Sequence, residues 1–357
     1  MPRTKFPRRI RSATVILASM LALTLLLAAR TKSAPEAAKT LRIFFVDVEG
    51  GQATLFVTPA GESLLIDTGW PGNDGRDADR IVAAAKKAGI SKIDYVLITH
   101  FHSDHVGGLP QLVARIPVGT VIDHGDNRET TDAPTVQVSQ AYQEMLATKK
   151  FKRLTAKPGD SLPIRGIQTT VVSADGVVID HPLAAAGEEN ASCQGAEQYP
   201  PDQTENQRSL GTLITFGKLK ILDLGDLTRD KEMELVCPKN KLGLIDIYIV
   251  SHHGWYQSGS PAFLNAIAPR VAIMDNGAKK GGTPSAWDII EKSPRLENLW
   301  QLHFSEEGGR AHNVAAEFIA NPEGRDAANY LELTAWRDGS FAVFNSRTSN
   351  AKHYPAH

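Results

Sequence analysis

Short apolar runs separated by turn residues recur along most of the chain. The first three runs, at 41–48, 53–58 and 63–66, are divided by Gly50-Gly51 and Pro59-Ala60-Gly61 turns, which predicts an antiparallel meander. Later apolar runs predict further strands at 95–99, 120–122, 167–172, 211–216, 219–223, 245–250, 271–274, 331–335 and 341–344. Helical composition predicts helices at 77–88, 107–115, 134–149 and 285–292. A long polar insertion at 175–208 interrupts this series, and irregular loops of that length are typically functional segments or lids.

The order of these elements predicts an α/β fold. The strands come in two batches, each followed by helices, and this arrangement favours two sheets packed face to face with helices outside. No Pro/Gly-rich linker divides residues 41–349, so we predict one domain there. A polar linker at 31–40 precedes it, and a tail at 350–357 follows it.

The first 30 residues differ in composition from the rest. They carry six basic residues and no acidic one, and the uncharged stretch 13–29 is rich in Leu and Ala. A basic flank before a short apolar core predicts a secretory signal over residues 1–30, and hence a periplasmic or secreted protein. An uncleaved signal would instead be a membrane anchor, since the run is near the lower length limit for a span.

Charge and cysteine content narrow the possible partners. Removing the six N-terminal basic residues from 39 leaves 33, against 40 acidic residues, so the mature chain is acidic. Since we find no basic stripe with interleaved aromatic residues, we expect no strong nucleic-acid surface. Cys193 and Cys237 could pair in an exported protein, and neither belongs to a Cys-x-x-Cys zinc motif.

Potential metal ligands are most concentrated in residues 99–108, Thr-His-Phe-His-Ser-Asp-His-Val-Gly-Gly. His100, His102, Asp104 and His105 place four metal-binding groups within six positions, directly after a predicted strand. Because residues i and i+2 of a strand face the same side, His100 and His102 can bind one ion. Asp104 and His105 follow the turn and can face a second ion. Imidazole suits Zn or Fe, and a carboxylate adds affinity for Mn.

This string resembles the signature of the metallo-β-lactamase superfamily. Other segments resemble superfamily motifs in the same order: Leu64–Gly69, Ile221–Leu227 with Gly225-Asp226, and Ile249–Gly254 with Ser251-His252-His253-Gly254. The resemblance implies a four-layer αββα sandwich of two mixed β-sheets with helices on the outer faces. It adds Asp226 and His252 to the metal ligands. Asp67 would orient a ligand histidine without touching the metal, and His253 is a candidate for a similar supporting position. It also implies two divalent ions, Zn or alternatively Mn or Fe, with Asp104 serving in catalysis as well.

A narrower resemblance concerns the metallo-hydrolase domain of DNA-uptake competence channel proteins. It is carried by Val46–Ala53, Glu205–Leu210 and the Ser-His-His-Gly segment. The chain departs from that group at Gln52, where an aspartate is usual. Many related hydrolases also place a histidine ligand where this chain has Asn206 and Ser209. The first ion would therefore have three protein ligands, or would be completed by water or Asn206.

These resemblances imply an exported metal-dependent hydrolase that uses a metal-bound hydroxide on a phosphodiester or related ester. The expected partner is therefore a small-molecule or oligomeric ester substrate. Two alternatives stay open: a lactonase or β-lactamase acting on a cyclic carbonyl, and a non-catalytic metal- or ligand-binding envelope protein. Three further residues, His124, His303 and Arg208, are candidates for the substrate pocket, although each is also compatible with an ordinary surface or turn position. Trp70 and Trp255 closely follow two of the motifs and could form an aromatic wall.

Overall fold

The computed structural model describes residues 1–3, 39–148, 151–324 and 327–357. Contacts divide the chain into Met1–Lys39 and Thr40–His357, and the strands and helices described below belong to the second unit. The predicted export signal and most of the predicted linker fall on residues 4–38, outside the described part. Within the described ranges, no helix has both the length and the apolar character needed to cross a membrane.

In the described part of the chain, eighteen strands form two sheets of nine strands each. In chain order the strands are β1 Leu41–Phe45, β2 Thr54–Val57, β3 Ser63–Ile66, β4 Ile93–Leu97, β5 Val118–Asp123, β6 Lys152–Thr155, β7 Ser161–Leu162, β8 Gln168–Ala174, β9 Val177–Val178, β10 Gly211–Phe216, β11 Leu219–Asp223, β12 Ile247–Ile249, β13 Val271–Met274, β14 Asn298–His303, β15 Ile319–Asn321, β16 Leu331–Ala335, β17 Phe341–Asn345 and β18 Asn350–Tyr354. The first sheet has the order β18-β17-β16-β1-β2-β3-β4-β5-β6. The second has the order β15-β14-β13-β12-β11-β10-β8-β7, with β9 paired to β8.

Both sheets are mixed, and their parallel strands position the site described below. In the first sheet, β3 to β6 are parallel neighbours, whereas β1, β2 and β16 to β18 pair antiparallel. In the second sheet, β11 to β15 run parallel and β7, β8, β10 and β11 pair antiparallel. The carboxyl ends of parallel neighbours lie at one edge of a sheet, so residues that follow these strands are brought together.

Helices cover the outer face of each sheet. They are α1 Arg76–Ala88, α2 Ser103–Val106, α3 Leu109–Val113, α4 Ala133–Thr148, α5 Arg229–Val236, α6 Pro261–Ile267 and α7 Pro284–Glu291. Apolar residues of α1, α3 and α4 pack on the first sheet, and those of α5, α6 and α7 pack on the second. The structure therefore has the predicted four-layer αββα order.

The core between the sheets follows from the two-residue period of the strands. In β1, Leu41, Ile43 and Phe45 join a cluster that contains residues of both sheets, whereas Phe44 packs with the helix-covered cluster. Strands that are apolar on both faces are buried on both faces, as this four-layer order requires.

Most predicted elements are present, with shifted ends. The predicted helix at 77–88 is α1, and it ends at Gly89, whose φ of 81° is the left-handed conformation typical of a helix stop. The predicted strand at 41–48 ends three residues early, because the backbone turns toward Gly50. Several elements have no predicted counterpart, among them α5, α6 and β14.

The expected tail at 350–357 is wrong for its first five residues, which form the edge strand β18. The segment is polar apart from Ala351, Tyr354, Pro355 and Ala356, so its apolar pattern is weak. Its backbone pairs with β17, and the buried Tyr354 ring stacks on Phe341 with 4.6 Å between ring centroids. A polar strand suits a sheet edge, where one side of the backbone is exposed.

The insertion at 175–208 is mostly irregular but is attached to the sandwich. It contains β9 and two 3₁₀ turns, Ala191–Cys193 and Glu205–Arg208. Cys193 forms a disulfide with Cys237 at the end of α5, so the two cysteines do pair.

Candidate metal centre

The candidate site lies where parallel strands of both sheets end. Asp67 follows β3 and His100 follows β4, two parallel neighbours of the first sheet. In the second sheet, Asp226 follows β11 and the histidine pair at 252–253 follows β12. Since the sheets pack face to face, these strand ends converge on one buried cluster.

Four side chains form the tightest part of this cluster: Asp104, His105, Asp226 and His253. Their facing oxygen and nitrogen atoms all lie within 4.8 Å of one another, and all four residues are buried. The Nε2 atom of His105 lies 3.2 Å from Oδ2 of Asp104 and 3.2 Å from Oδ2 of Asp226. The Nε2 atom of His253 lies 3.2 Å from Oδ2 of Asp104 and 3.5 Å from Oδ1 of Asp226.

Two further histidines face Asp226 from the same cluster. Nε2 of His252 lies 3.4 Å from Oδ2 of Asp226, and Nε2 of His100 lies 4.0 Å from the same oxygen. The His102 ring adjoins His100, with 4.7 Å between ring centroids. Thus the structure brings together all six residues predicted as ligands, and it adds His253 to the tightest group.

The chemistry of this donor set fits divalent metal ions. Nε2 of His100 and Oδ1 of Asp226 are buried and make no hydrogen bond to any described residue. A buried polar atom without a partner is costly, and imidazole nitrogens with carboxylate oxygens are the ligands of zinc, iron and manganese sites. The residues present can therefore hold such ions, with Asp226 placed between the histidines.

Carboxylates lie next to the other ring nitrogen of three histidines. Oδ2 of Asp67 lies 2.7 Å from Nδ1 of His105. Oδ1 of Asp275 lies 3.4 Å from Nδ1 of His253, and Oε2 of Glu129 lies 3.0 Å from Nε2 of His102. The hydrogen bonds of Asp67 and Glu129 fix the ring orientation of His105 and His102 and leave the remaining nitrogen for a cation. In His102 that nitrogen is Nδ1. Asp275 and His253 make an ion-pair contact without a hydrogen bond.

Hydroxyl groups hold the other two histidines. Oγ1 of Thr99 lies 3.0 Å from Nδ1 of His100, and Oγ of Ser258 lies 3.4 Å from Nδ1 of His252. Thr99 also donates to both oxygens of Asp67, through its backbone N at 2.8 Å and its hydroxyl at 2.6 Å. Thr99 therefore links the orientation of His100 to that of His105.

The backbone of the Ser251–Gly254 motif is in an unusual conformation. His252 and His253 both have a φ of 55°, in the left-handed region that non-glycine residues rarely adopt. The turn is held by a hydrogen bond of 2.9 Å from the backbone N of Gly282 to the backbone O of His253. Consecutive left-handed residues point both imidazoles at Asp226, and strain of this kind is concentrated at functional sites.

The charges in the cluster favour cations at its centre. Burial opposes ionisation of Asp104, yet Lys280 and His105 hold the pKa of this carboxyl group well below the usual value. Burial likewise opposes ionisation of Asp226, and His105, His252 and His253 hold its pKa well below the usual value. Burial also opposes protonation of His105, but the carboxylates around it keep its pKa well above the usual value. The same balance, with Asp226 as the main carboxylate, raises the pKa of His253 to about 9. By contrast, burial lowers the pKa of His252 to about 4.

Three residues predicted for the substrate pocket make other contacts. His124 is buried and its Nε2 lies 3.0 Å from Oε2 of Glu205. His303 belongs to a separate group, with its Nε2 atom 2.7 Å from Oδ1 of Asp47. Arg208 pairs with Asp175 at 2.7 Å. These contacts give all three residues structural roles.

Asn206 and Ser209, at the position where related hydrolases have a histidine, make different contacts. Asn206 lies in the 3₁₀ turn Glu205–Arg208, and its buried Oδ1 atom makes no hydrogen bond to a described residue. Ser209 reaches the cluster instead: its Oγ atom lies 3.4 Å from Nδ1 of His100 and accepts from the backbone N of Asp226 at 3.2 Å.

Sequence reasoning missed Glu129, Asp275 and Lys280. Asp275 directly follows the predicted strand at 271–274, the same strand-end position as Asp67, so that signal was present. Glu129 and Lys280 lie in loops without a pattern, and only the folded chain brings them to the cluster.

Comparison with known proteins supports the assignment of the motifs. Residues 46–187 match the family model described as the metallo-beta-lactamase superfamily. The chain is 27% identical to ComE operon protein 3 of Bacillus subtilis over 192 residues, 53% of this chain and 20% of that protein. It is 24% identical to competence protein ComA of Neisseria gonorrhoeae over 254 residues, 71% of this chain and 30% of that protein. It is also 29% identical to a hydroxyacylglutathione hydrolase of Rhodopseudomonas palustris over 108 residues, 30% of this chain and 34% of that protein.

The matched stretches thus span only a fifth to about a third of these relatives. The fold, the order of the motifs and the match over residues 46–187 together confirm the inferred resemblance: this chain is similar to metallo-β-lactamase superfamily hydrolases and, within them, to the competence proteins.

Proposed function

We propose that this protein is an exported metal-dependent hydrolase that cleaves a phosphodiester or a related ester. The observation that carries the proposal is the buried group of Asp104, His105, Asp226 and His253, whose ligand atoms lie within 4.8 Å of one another. Two divalent ions, zinc or alternatively manganese or iron, would be held by this group together with His100, His102 and His252. When bound, such ions lower the pKa of water toward about 7 and polarise the bond under attack.

The protein residues supply position and charge for this reaction. Asp226 directs Oδ2 at His105 and His252 and Oδ1 at His253, so one carboxylate serves both halves of the centre. Asp67 and Glu129 keep the imidazoles of His105 and His102 from rotating, which preserves the ligand geometry during turnover. Asp104 uses Oδ2 toward His105 and His253, and its other oxygen can accept a hydrogen bond from the attacking water.

Similarity to competence proteins favours a phosphodiester over other esters. The acidic mature chain argues against long nucleic acid, so a small or oligomeric substrate is the better match. The similarity to a hydroxyacylglutathione hydrolase supports the alternative class, in which a lactonase or β-lactamase attacks a carbonyl carbon.

A substrate panel combined with metal analysis tests the proposal. Purified protein should contain about two divalent ions per chain by mass spectrometry. It should cleave bis(p-nitrophenyl) phosphate and leave nitrocefin and simple lactones intact. Cleavage of only nitrocefin or a lactone would establish the carbonyl alternative, and near-zero bound metal would favour the non-catalytic binding protein.

A pair of histidine variants makes this test specific to the cluster. His102→Ala should reduce diester turnover more than about tenfold, since the loss of a ring nitrogen weakens metal binding. His181→Ala is the control, because the His181 side chain is 72% exposed on the insertion and pairs with Asp180. Equal activity of the two variants would contradict the assigned site.

Export is part of the proposal. It is supported by the basic and apolar pattern of residues 1–30 and by the Cys193–Cys237 disulfide, since disulfides persist in oxidising compartments. Cell fractionation with N-terminal sequencing tests it. A protein that retains residues 1–30 in the membrane fraction would be anchored by an uncleaved signal, whereas one found in the cytosol would refute export.

A further inference from the structure

A lysine side chain lies at the metal cluster, outside the family motifs. Lys280 belongs to the loop that follows β13, and its Nζ atom contacts Oδ2 of Asp104. Its side chain is 30% exposed, so the ammonium group lies between the buried carboxylate and solvent. The same Nζ lies 5.0 Å from the ring centroid of Trp70, within cation–π distance.

The backbone around Lys280 is fixed. The backbone O of Lys280 accepts from the backbone N of Gly277 at 2.8 Å, and Asn276 Nδ2 donates to the backbone O of His303 at 2.8 Å. On the opposite side, a Cβ atom at Gly50 would come within 2.9 Å of Lys280 Cβ, so this glycine lets the two loops approach closely. The backbone of Lys280 is therefore held in place, and its side chain is the part that can move.

This position gives Lys280 a task other than neutralising Asp104. Asp104 is also a predicted metal ligand, and an ammonium and a metal ion repel each other at one oxygen. With a metal bound to Asp104, the ammonium would instead pair with an anion on the solvent side of the cluster. An ammonium on a four-carbon stem is a compact donor well suited to phosphate oxygens.

We propose that Lys280 binds the anionic group of the substrate at the metal centre. The substrate class is a phosphate ester with a charged nonbridging oxygen, a refinement that rests on the proposed hydrolase function. Trp70 holds the side chain at the rim, and Gly50 sets the approach of its loop. The lysine would thus select a charged ester over a neutral one.

Binding of inorganic phosphate tests this role without turnover. We would titrate phosphate into zinc-loaded protein by calorimetry for wild type, Lys280→Gln, Lys280→Arg and Lys279→Gln. Lys279 is the matched control because it is the adjacent lysine and is exposed. Losing a charge-assisted hydrogen bond should weaken phosphate binding about tenfold or more in Lys280→Gln. Lys280→Arg should stay within about threefold of wild type, and Lys279→Gln should match it.

The outcomes separate the possible roles of the lysine. If Lys280→Gln changes zinc affinity but binds phosphate like wild type, Lys280 only neutralises Asp104 and the proposal is overturned. Absence of phosphate binding by zinc-loaded wild type also overturns it.

Activity then tells this proposal apart from the proposed function. Lys280→Gln should reduce kcat/KM for bis(p-nitrophenyl) phosphate about tenfold and leave the neutral p-nitrophenyl acetate within about threefold. Wild type that binds phosphate through Lys280 but cleaves no diester would refute the hydrolase function and keep the anion site. Equal losses for the charged and the neutral ester would refute charge selection by Lys280.

Discussion

At the scale of residues, four of the five histidines in the cluster are hydrogen-bonded through one ring nitrogen and present the other. Asp67 and Glu129 hold two of these rings, and Thr99 and Ser258 hold the other two. The fifth, His253, makes an ion-pair contact with Asp275. A neutral imidazole has one donor and one acceptor nitrogen, so each partner also selects the tautomer. The centre therefore depends on residues that never touch a metal.

Asp67→Asn should test that dependence most cleanly. Asp67 has a φ of 59°, which asparagine tolerates, so the substitution keeps the backbone and removes the charge next to Nδ1 of His105. We expect zinc affinity to fall about 10- to 100-fold, measured by competition with a chromophoric chelator. Asp123→Asn is the control, because Asp123 is a buried carboxylate at the end of β5 that pairs with Arg153 at 2.7 Å. Zinc affinity equal in both variants would contradict the orienting role.

Gly225 controls how closely Thr99 approaches the Asp226 motif. Gly225 has a φ of 55°, and a Cβ there would lie 2.8 Å from Cβ of Thr99. Gly225→Ala should therefore displace Thr99, lower zinc affinity and destabilise the fold. Gly61 also has a left-handed φ, 78°, but its Cβ would meet no atom within 4 Å.

Comparison of the two glycines separates strain from crowding. Gly61→Ala should cost about 1–2 kcal/mol of unfolding free energy from backbone strain alone, with zinc affinity unchanged. Gly225→Ala should lose more stability by urea unfolding and also lose zinc affinity by the chelator assay. If both variants behave alike, the contact with Thr99 is not important to the site.

At the scale of elements, the predictable part of the site is the part attached to buried strands. Apolar runs identify strands, and the polar residue after each run, such as Asp67, His100 or Asp226, is placed by the strand end. Glu129 and Lys280 follow no such pattern, since their position depends on loops that pack only in the folded chain. The choice between His252 and His253 also required the structure, because two successive left-handed residues turn both rings inward.

The insertion is a second element whose structure the sequence left open. Its polar composition predicts an irregular segment, but not that its ends are attached to the sandwich. The backbone N of Glu205 donates to Oε2 of Glu129 at 2.8 Å, and that same oxygen holds His102. At the other side, the disulfide joins Cys193 to Cys237. The insertion thus supports the metal centre.

Removing the disulfide should measure how much this attachment contributes. The two cysteines are 44 residues apart, and a closed loop of that length predicts up to about 4 kcal/mol of stabilisation from the unfolded chain. The double variant Cys193→Ala/Cys237→Ala should lose stability in urea unfolding. Wild type under strong reductant should follow the same curve, and an unchanged midpoint in both would show that the insertion is held by its other contacts.

At the scale of the whole molecule, the site requires both sheets. The family match covers residues 46–187 and includes Asp67 and the motif at 100–105. Asp226 and His253 lie beyond it and follow strands β11 and β12 of the second sheet. Face-to-face packing of the sheets brings these halves together. Stability of the sandwich and integrity of the cluster are therefore linked. A buried charge on the helices that cover the second sheet can affect both.

Glu232 of α5 makes the stability of the molecule depend on pH. The carboxyl group is fully buried, accepts from the backbone N of Gly259 at 3.0 and 2.8 Å and of Ser260 at 3.3 Å, and faces Arg229 and Tyr248. Burial dominates and raises its pKa from 4.5 to about 8. Between those values the folded protein keeps a proton that the unfolded chain releases, so this residue lowers the unfolding free energy as pH rises from 4.5 to 8.

Glu232→Gln should remove that dependence, because a glutamine stays neutral at every pH. Relative to wild type, the variant should gain up to about 1.4 kcal/mol of unfolding free energy for each pH unit between about 5 and 8. Urea unfolding of both proteins at several pH values measures the difference. Glu234→Gln is the control, since Glu234 lies on the same helix with its side chain 50% exposed. A constant difference between Glu232→Gln and wild type across this range would mean that Glu232 is charged in the folded protein, and its three backbone hydrogen bonds would then outweigh burial.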